Sequence, residues 1–402
     1  MALNIGVYNL HMRTLGGGEK LTLALAEHLS LKHNVWLFHT DPRLDLNSLE
    51  KFFGVDLSRV RPLRLDNPGP PLKLLAKVRG RRSPAFSLHH FRQLKSLGLD
   101  LFINNSYASG LPCPAARGVF MCMFPYRAPR PTKGGLPRRV KDSLVDRAEQ
   151  LVTGFAPPEV LDSYTAVVSI SNYSAEWVGK MWSRRADVIY PPCEDMGPPA
   201  AKQKLILHVG RFIADTGEPG RHHKGQGVLL DAFEGLTDLR REGWELHFVG
   251  SVGADEQSGK FARDLARRAE GLPVSFHFDA GFEELRELYR RAAVYWHATG
   301  YGISDVVHPA AQEHFGITTV EAMSAGAVPI VYGSGGQTEI VTRGVDGLFW
   351  SDTAELKSLT AGLAQDPASR ERLRRNAVAS SKRFGREAFA ANVDRLVERL
   401  LS

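Results

Sequence analysis

Two glutamates eight positions apart, Glu313 and Glu321, bracket the segment Glu313-His314-Phe315-Gly316-Ile317-Thr318-Thr319-Val320-Glu321. The first belongs to a loop and the second to a helix that begins near Thr318 or Thr319. An anion could sit at that helix start, on the amides of Gly316, Ile317 and Thr318 and on the threonine hydroxyls. Carboxylates flanking such a site would accept hydrogen bonds from sugar hydroxyls. As a bare pair, however, the two residues read more readily as an N-terminal helix charge and a surface carboxylate. Two cations are placed for related chemistry. Arg211 ends the strand-like run through Val209-Gly210, and Lys224 precedes a helix near Val228. Carboxyl ends of strands in open α/β sheets are where ligands bind, and cations there could neutralise a diphosphate and so stabilise a departing nucleotide. A solvated surface pair is the alternative. Gly16-Gly17-Gly18 lies between a strand with its loop and a helix opened by Glu19. Glycines there let backbone N–H groups approach a phosphate, or serve only a tight bend, and their spacing is not that of dinucleotide binders.

Short apolar runs alternating with helical patterns must position these residues, which predicts parallel sheets wrapped by helices. Strands are expected at Asn4–Asn9, Val35–Phe38, Leu101–Ile103, Gly118–Cys122 and Ala166–Ile170 in the first half. The second half offers Leu205–Val209, Glu245–Val249, Val274–Phe278, Ala293–Trp296 and Val328–Val331. Helices are expected at Glu19–Ser30, Val228–Phe233, Glu283–Ala292 and Thr319–Ala325. Pro191, Pro192, Pro198 and Pro199 interrupt any regular element between Tyr190 and Lys202, which puts a boundary near residue 195. The expected division is thus 1–195, 196–385 and a terminal helix 386–402. That helix places Phe389, Val393, Leu396, Val397 and Leu400 at helical spacing and needs a surface to cover.

A chain of 402 residues exceeds the size at which one hydrophobic core stops growing, so two domains are expected. Cys113, Cys122 and Cys193 are odd in number and lack metal-ligand spacing, which argues against a disulfide framework and a zinc site. Met1 to Tyr8 reads as a strand rather than a signal peptide, and no apolar run approaches the roughly 18 residues of a membrane span. A cytoplasmic location is the expectation. The net charge of +7 is unevenly placed. Lys73, Lys77, Arg79, Arg81, Arg82, Arg92 and Lys95 form one acid-free group, and Arg127, Arg130, Lys133, Arg138, Arg139 and Lys141 another. Neither carries a recognised nucleic-acid motif, so nucleic acid is not the expected partner.

The stretch Glu313–Gly326, with Val328-Pro329 and Gly335-Gly336 after it, closely resembles the E-x7-E region of the retaining glycosyltransferase family four. Arg211 with Lys224, the Gly16–Gly18 loop and the proline-rich stretch follow the family's order. Tyr295-Trp296-His297-Ala298 and Gly302 resemble its bacterial members. The similarity is dense from about residue 205 to about residue 350. It implies the GT-B fold, two Rossmann-like domains facing across a cleft, with the terminal helix crossing back to the first. It implies a nucleotide-sugar donor, a glycan or lipid-linked acceptor, retention of anomeric configuration and no metal or other cofactor. Arg211 and Lys224 would bind the diphosphate, Glu321 the ribose and Glu313 the donor sugar, with Gly316, Ile317 and Thr318 as backbone donors and Gly16, Gly17 and Gly18 also on the donor. Catalysis would rest chiefly on electrostatic stabilisation of the leaving diphosphate. Phe276–Gly281 is the expected base-binding region.

One departure stands out. Relatives often carry a histidine near the transferred sugar where Cys122-Met123-Phe124-Pro125 has Met123, and methionine cannot donate as histidine does. A deoxy-sugar donor, a repositioned His11 or simple packing of Met123 would each account for it. Two other classes compete with a transferase. A GT-B-like sugar-nucleotide epimerase would place its acids elsewhere, and a non-catalytic, membrane-docked sugar-nucleotide binder is favoured only by Met123.

Leu72, Leu74, Leu75 and Val78 interleave with Lys73, Lys77 and Arg79, a pattern suited either to an anionic membrane surface or to a solvated helix. Each cation near such a surface contributes about 1 kcal/mol, screened by salt. Flotation with anionic vesicles should therefore exceed flotation with neutral ones and fade as salt is raised; equal flotation would remove the membrane partner.

Overall fold

Strands rich in Val, Ile, Leu and Phe, the interior ones largely buried on both faces, assemble into two parallel sheets in the computed structural model, which describes residues 2–10, 12, 16–66, 84–126, 159–214 and 223–402. The first sheet runs β3-β2-β1-β4-β5-β6-β7, from β1 (Asn4–Tyr8), β2 (Asn34–His39), β3 (Val60–Arg64), β4 (Leu101–Asn104), β5 (Arg117–Cys122), β6 (Ala166–Ser169) and β7 (Asp187–Val188). The second runs β10-β9-β8-β11-β12-β13, from β8 (Gln203–Val209), β9 (Glu245–Gly250), β10 (Val274–Phe278), β11 (Ala292–His297), β12 (Val328–Tyr332) and β13 (Leu348–Trp350). Parallel strands need crossover connections, and the covering helices bury the sheet faces. In β11 all six residues are buried.

All ten expected strands form, with ends shifted by a residue or two, and so do the four expected helices. The strands that periodicity did not predict are β3, β7 and β13, each at a sheet edge. β3 alternates little and contains Pro62, β7 has two residues and β13 three. Edge strands are short and half-covered, so they carry a weak apolar signal, and an edge tolerates proline.

The chain divides into Met1–Ile189 with Ala390–Ser402, and Tyr190–Phe389. The division thus falls a few residues before position 195, within the stretch that has neither helix nor strand. Side chains explain the offset. Tyr190 stacks on Phe315 at 5.4 Å and donates to Glu339 at 3.0 Å. The Cys193 amide donates to the Phe384 carbonyl at 2.9 Å, and Arg386 pairs with Glu194 at 2.9 Å. These contacts hold 190–194 to the second unit.

The terminal helix Arg386–Leu401 belongs to the first unit from Ala390 onward. Asp394 accepts from His28 at 2.8 Å and Lys32 at 2.7 Å, and Arg399 pairs with Asp187. Val393, Leu396 and Val397 are buried. The core of the second unit gathers Trp296, Trp350, Phe233, Phe248 and Ile330 under its helices.

The carboxyl end of the second sheet is drawn tight by backbone contact. A Cβ on Gly250, at the end of β9, would lie 2.2 Å from the Gly210 carbonyl oxygen, inside any permitted separation. Gly250→Ala should therefore lower stability by about 1–3 kcal/mol through overpacking. Gly259→Ala, inside the helix Glu256–Arg268 with only Arg263 Nη1 at 3.4 Å, should be neutral or stabilising. Urea unfolding midpoints of the two variants check the contrast.

Candidate functional site

Three glycine contacts build the site at the carboxyl end of the second sheet. Gly225, at φ 73°, would set a Cβ 2.6 Å from Ala298 Cβ, so only glycine lets Lys224 approach the end of β11. Gly336 N–H donates to the Glu313 carbonyl at 2.8 Å, and a Cβ on Gly335 would lie 2.3 Å from that same oxygen. The Gly335-Gly336 turn thereby fixes the main chain of Glu313. Gly316, at φ 124°, caps the helix Ile317–Ser324, which begins one residue before the expected Thr318. Its place is a left-handed one, and a Cβ there would strike Gln337.

Glu313 is half-buried, and its Oε2 accepts from Lys224 Nζ at 2.7 Å and from His297 Nε2 at 3.1 Å. Burial pushes the carboxyl up, but Lys224 and His297 more than offset it and hold Glu313 well below the ordinary carboxylate range. His297 is itself buried, and that burial lowers its basicity against the pull of Glu313. Its Nδ1 has no partner among the described residues. On the adjacent strand β8, buried His208 places Nδ1 3.0 Å from the Trp296 carbonyl oxygen, and burial brings its pKa down to about 3.

Glu321 lies on the helix Ile317–Ser324 and is buried, its Oε2 3.2 Å from Tyr289 Oη. Tyr295 donates to Thr318 Oγ1 at 2.8 Å, which fixes the first turn of the helix. The first-turn amides of Gly316, Ile317 and Thr318 make no backbone bond among the described residues, as helix starts require. The turn therefore presents donors beside a carboxyl side chain, a surface suited to an anion with adjoining hydroxyls.

The structure thus brings Glu313 and Lys224 into contact, with Gly316, Ile317, Thr318 and Glu321 following directly along the chain. Lys224 carries a carboxylate partner, which sequence reasoning did not give it. Arg211 is exposed beyond the end of β8 and makes no ion pair among the described residues. Gly16, Gly17 and Gly18 belong to the first unit. There the helix Gly17–Ser30 opens, but the Gly16 amide donates to the Glu19 carboxylate at 3.0 Å. A carboxylate at that helix start competes with a phosphate for the same amides. Asn105 holds the loop through Gly18 O at 3.1 Å and Thr22 Oγ1 at 2.7 Å. Met123 packs on Gly18, whose Cβ would lie 2.7 Å from Met123 Cε. His11 lies outside the described residues, as do Lys73 to Arg82 and Arg127 to Lys141 of the basic groups.

Sequence reasoning missed the roles of His297 and His208. The available signal was a histidine at or next to the end of a buried apolar run, where a polar side chain reaches the carboxyl edge of the sheet. Among the described residues no group of three or more His, Cys, Asp and Glu is placed as a metal site, and no helix is long and apolar enough to cross a membrane.

Residues 197–379 match the family model described as Glycosyl transferases group 1. The chain is 28% identical over 200 residues to the GDP-Man:Man(3)GlcNAc(2)-PP-Dol alpha-1,2-mannosyltransferase of Yarrowia lipolytica, covering 43% of this chain and 28% of that protein. With the protein of the same description from Xenopus laevis it shares 25% over 249 residues, 55% of this chain and 46% of that one. The chain therefore spans less than half the length of these two relatives. Among solved structures it is similar to Anabaena Alr3699/HepE in complex with UDP and glucose, with a TM-score of 0.66 at 16% identity over 98% of this chain and 99% of that one. That likeness concerns the fold alone, and the fold is the expected GT-B, with parallel sheets in both units.

Because the folded state holds the Glu313 carboxyl below its ordinary range, it binds fewer protons there than the unfolded chain does. The resulting stability is present above about pH 4.3 and is lost as pH falls through the lowered folded value. Lys224→Met should flatten that acid-side dependence and cost about 1–3 kcal/mol near neutral pH, since a half-buried carboxylate loses its charged donor. Urea midpoints across that acid range check both effects; identical profiles for variant and wild type would remove the pair from the stability balance.

Proposed function

With residues 197–379 forming a group 1 glycosyl transferase domain as premise, we propose that the chain transfers a sugar from a nucleoside diphosphate sugar to a glycan or lipid-linked acceptor with retention of configuration. The observation that carries this reading is the Glu313–Lys224 pair beside the open first turn of the helix Ile317–Ser324. A donor has three features to be met: a diphosphate, sugar hydroxyls and a ribose. The helix start, Lys224 and Arg211 supply positive potential for the diphosphate. Lys224 keeps two N–H groups beyond the one given to Glu313. Glu313 accepts from the sugar, and Glu321, one helix turn into the same element, accepts from the ribose.

In the reaction the bond from the anomeric carbon to the leaving phosphate oxygen breaks and a bond to the acceptor oxygen forms on the same face. The acceptor proton passes to the departing phosphate oxygen. Charge grows on the diphosphate and on the anomeric carbon, so cations at the first and a carboxylate at the second act where stabilisation counts most. The lipid-linked acceptor is supported by the dolichol-linked substrate in the relatives' names, and an anionic membrane surface by the acid-free basic groups of the sequence. GDP-mannose is the first donor to test on the same ground, with UDP-glucose beside it for the nucleotide held by the structural relative.

Thermal-shift screening of sugar nucleotides should find a donor that stabilises by about 2.7 kcal/mol at 100 times its dissociation constant. With that donor, Glu313→Gln should mainly lower kcat, whereas Glu321→Gln should mainly raise the donor KM. Arg211→Ala should cost roughly 2.7–4 kcal/mol of transition-state stabilisation, by analogy with loss of an oxyanion donor. NMR of the product should show the donor's anomeric configuration kept. An inverted product refutes retention, and wild-type kinetics in both glutamate variants take the carboxylates out of the mechanism.

A further inference from the structure

Glu313 is gripped at one oxygen only. Lys224 Nζ and His297 Nε2 both reach Oε2, and Oε1 has no partner among the described residues. An ionised carboxylate can only accept, so both neighbours donate and His297 carries its proton on Nε2. The opposite ring nitrogen, Nδ1, is buried without a partner among the described residues. A second proton there would be an unpaired donor on a buried cation, which the site does not support. His297 is therefore a neutral imidazole of one tautomer. His208 beside it is fixed in the opposite sense: it donates from Nδ1 to the Trp296 carbonyl, and its buried Nε2 has no partner among the described residues. Among the described residues, the charged groups facing Glu313 from the surrounding elements reduce to Lys224, with the two imidazoles neutral.

A histidine that merely filled the end of β11 would have no need to point its N–H at a carboxylate 16 residues further along the chain. We infer that His297 is a positioning residue for the transfer reaction, donating from Nε2 to Glu313 Oε2 so that, with Lys224, it fixes one carboxylate oxygen and leaves Oε1 to accept from a donor-sugar hydroxyl. A neutral donor suits that task. It orients the carboxylate without cancelling the negative charge that the anomeric carbon meets in the transition state, which a second cation would do. The substrate in this inference rests on the function proposed above; the grip on Glu313 does not.

Three measurements test it. In the wild type, 15N NMR of the imidazoles should show His297 as the neutral Nε2–H tautomer throughout the range where an ordinary histidine titrates; an Nδ1–H tautomer, or a normal titration, overturns the inference. In protein labelled with 13C at the glutamate carboxyls, with Glu313→Gln for assignment, the Glu313 midpoint should rise by about one pH unit in His297→Phe. It should return close to the wild-type value in His297→Gln, whose amide restores a donor near the position of Nε2. With the donor found by screening, His297→Phe should lower kcat about 10- to 100-fold, the loss common when a group orienting a site ligand is removed. KM should change little, the acid limb of the kcat profile should move up with the Glu313 midpoint, and His297→Gln should recover most of the rate. An unmoved Glu313 midpoint in folded His297→Phe, or a glutamine variant as impaired as the phenylalanine one, overturns the role. Should His297→Phe fail to fold, the wild-type tautomer and the glutamine variant still decide. If no sugar nucleotide supports turnover, the proposed function falls, while the tautomer and the carboxyl titration separately decide whether His297 holds Glu313.

Discussion

A carboxylate drawn out of water must be matched by donors, and at Glu313 that requirement organises the carboxyl end of the second sheet. Its charge is met by Lys224 and by His297, both on the same oxygen. Neither partner is a neighbour in sequence. Lys224 arrives from the segment after β8, His297 from the end of β11, and Glu313 from the loop before the helix Ile317–Ser324. Bringing the three together demands that β8 and β11 be adjacent and in the observed register, which the parallel pairing supplies.

Backbone proximity is the second demand. Side chains of ordinary length can meet at the edge of the sheet only if the chains carrying them come closer than Cβ atoms permit. Gly225 against Ala298, Gly250 against Gly210 and Gly335 against Glu313 each mark such a contact. Positive φ at Gly225 and Gly335 adds a conformational reason at two of these contacts. Polar satisfaction is local at the same time: Trp350 Nε1 donates to the His297 carbonyl at 3.1 Å and Trp296 Nε1 to Thr360 at 3.1 Å, tying the strand that presents His297 into the core. Rigidity of the site is thus inherited from the packed sheet rather than built by the loop.

The two glycine-rich segments are not equivalent. Around Gly316 the first turn of the helix leaves its amides without backbone partners among the described residues, and the neighbouring Glu313 carboxylate is paired with Lys224. At Gly16 the helix start is occupied by Glu19, whose carboxylate takes the amide, and Met123 covers Gly18. The same local geometry, a glycine before a helix, therefore leaves first-turn amides without backbone partners in one unit and gives one to a side-chain carboxylate in the other. Chain chemistry nearby, not the turn, sets which ligand either could attract.

Much of this was legible before any coordinates. Alternation of apolar runs with helical patterns gave the interior strands and the edge strand β10, the prolines between Tyr190 and Lys202 marked the region of the division, and Glu313-His314-Phe315-Gly316 with Glu321 marked a loop entering a helix. These features depend on residues close together along the chain, so the sequence alone determines them. The edge strands β3, β7 and β13 did not announce themselves, because a short, half-covered strand has little burial to encode. Nor did the partnership of Lys224 with Glu313, across 89 positions, or the part played by His297. Tyr190 to Glu194 were pulled into the second unit by contacts with Phe315, Phe384 and Arg386 that no local pattern contains. Local spacing decides which elements form and which faces are apolar; which side chains meet at their ends is decided only by strand order and register, because these set distances between residues that have no relation along the chain.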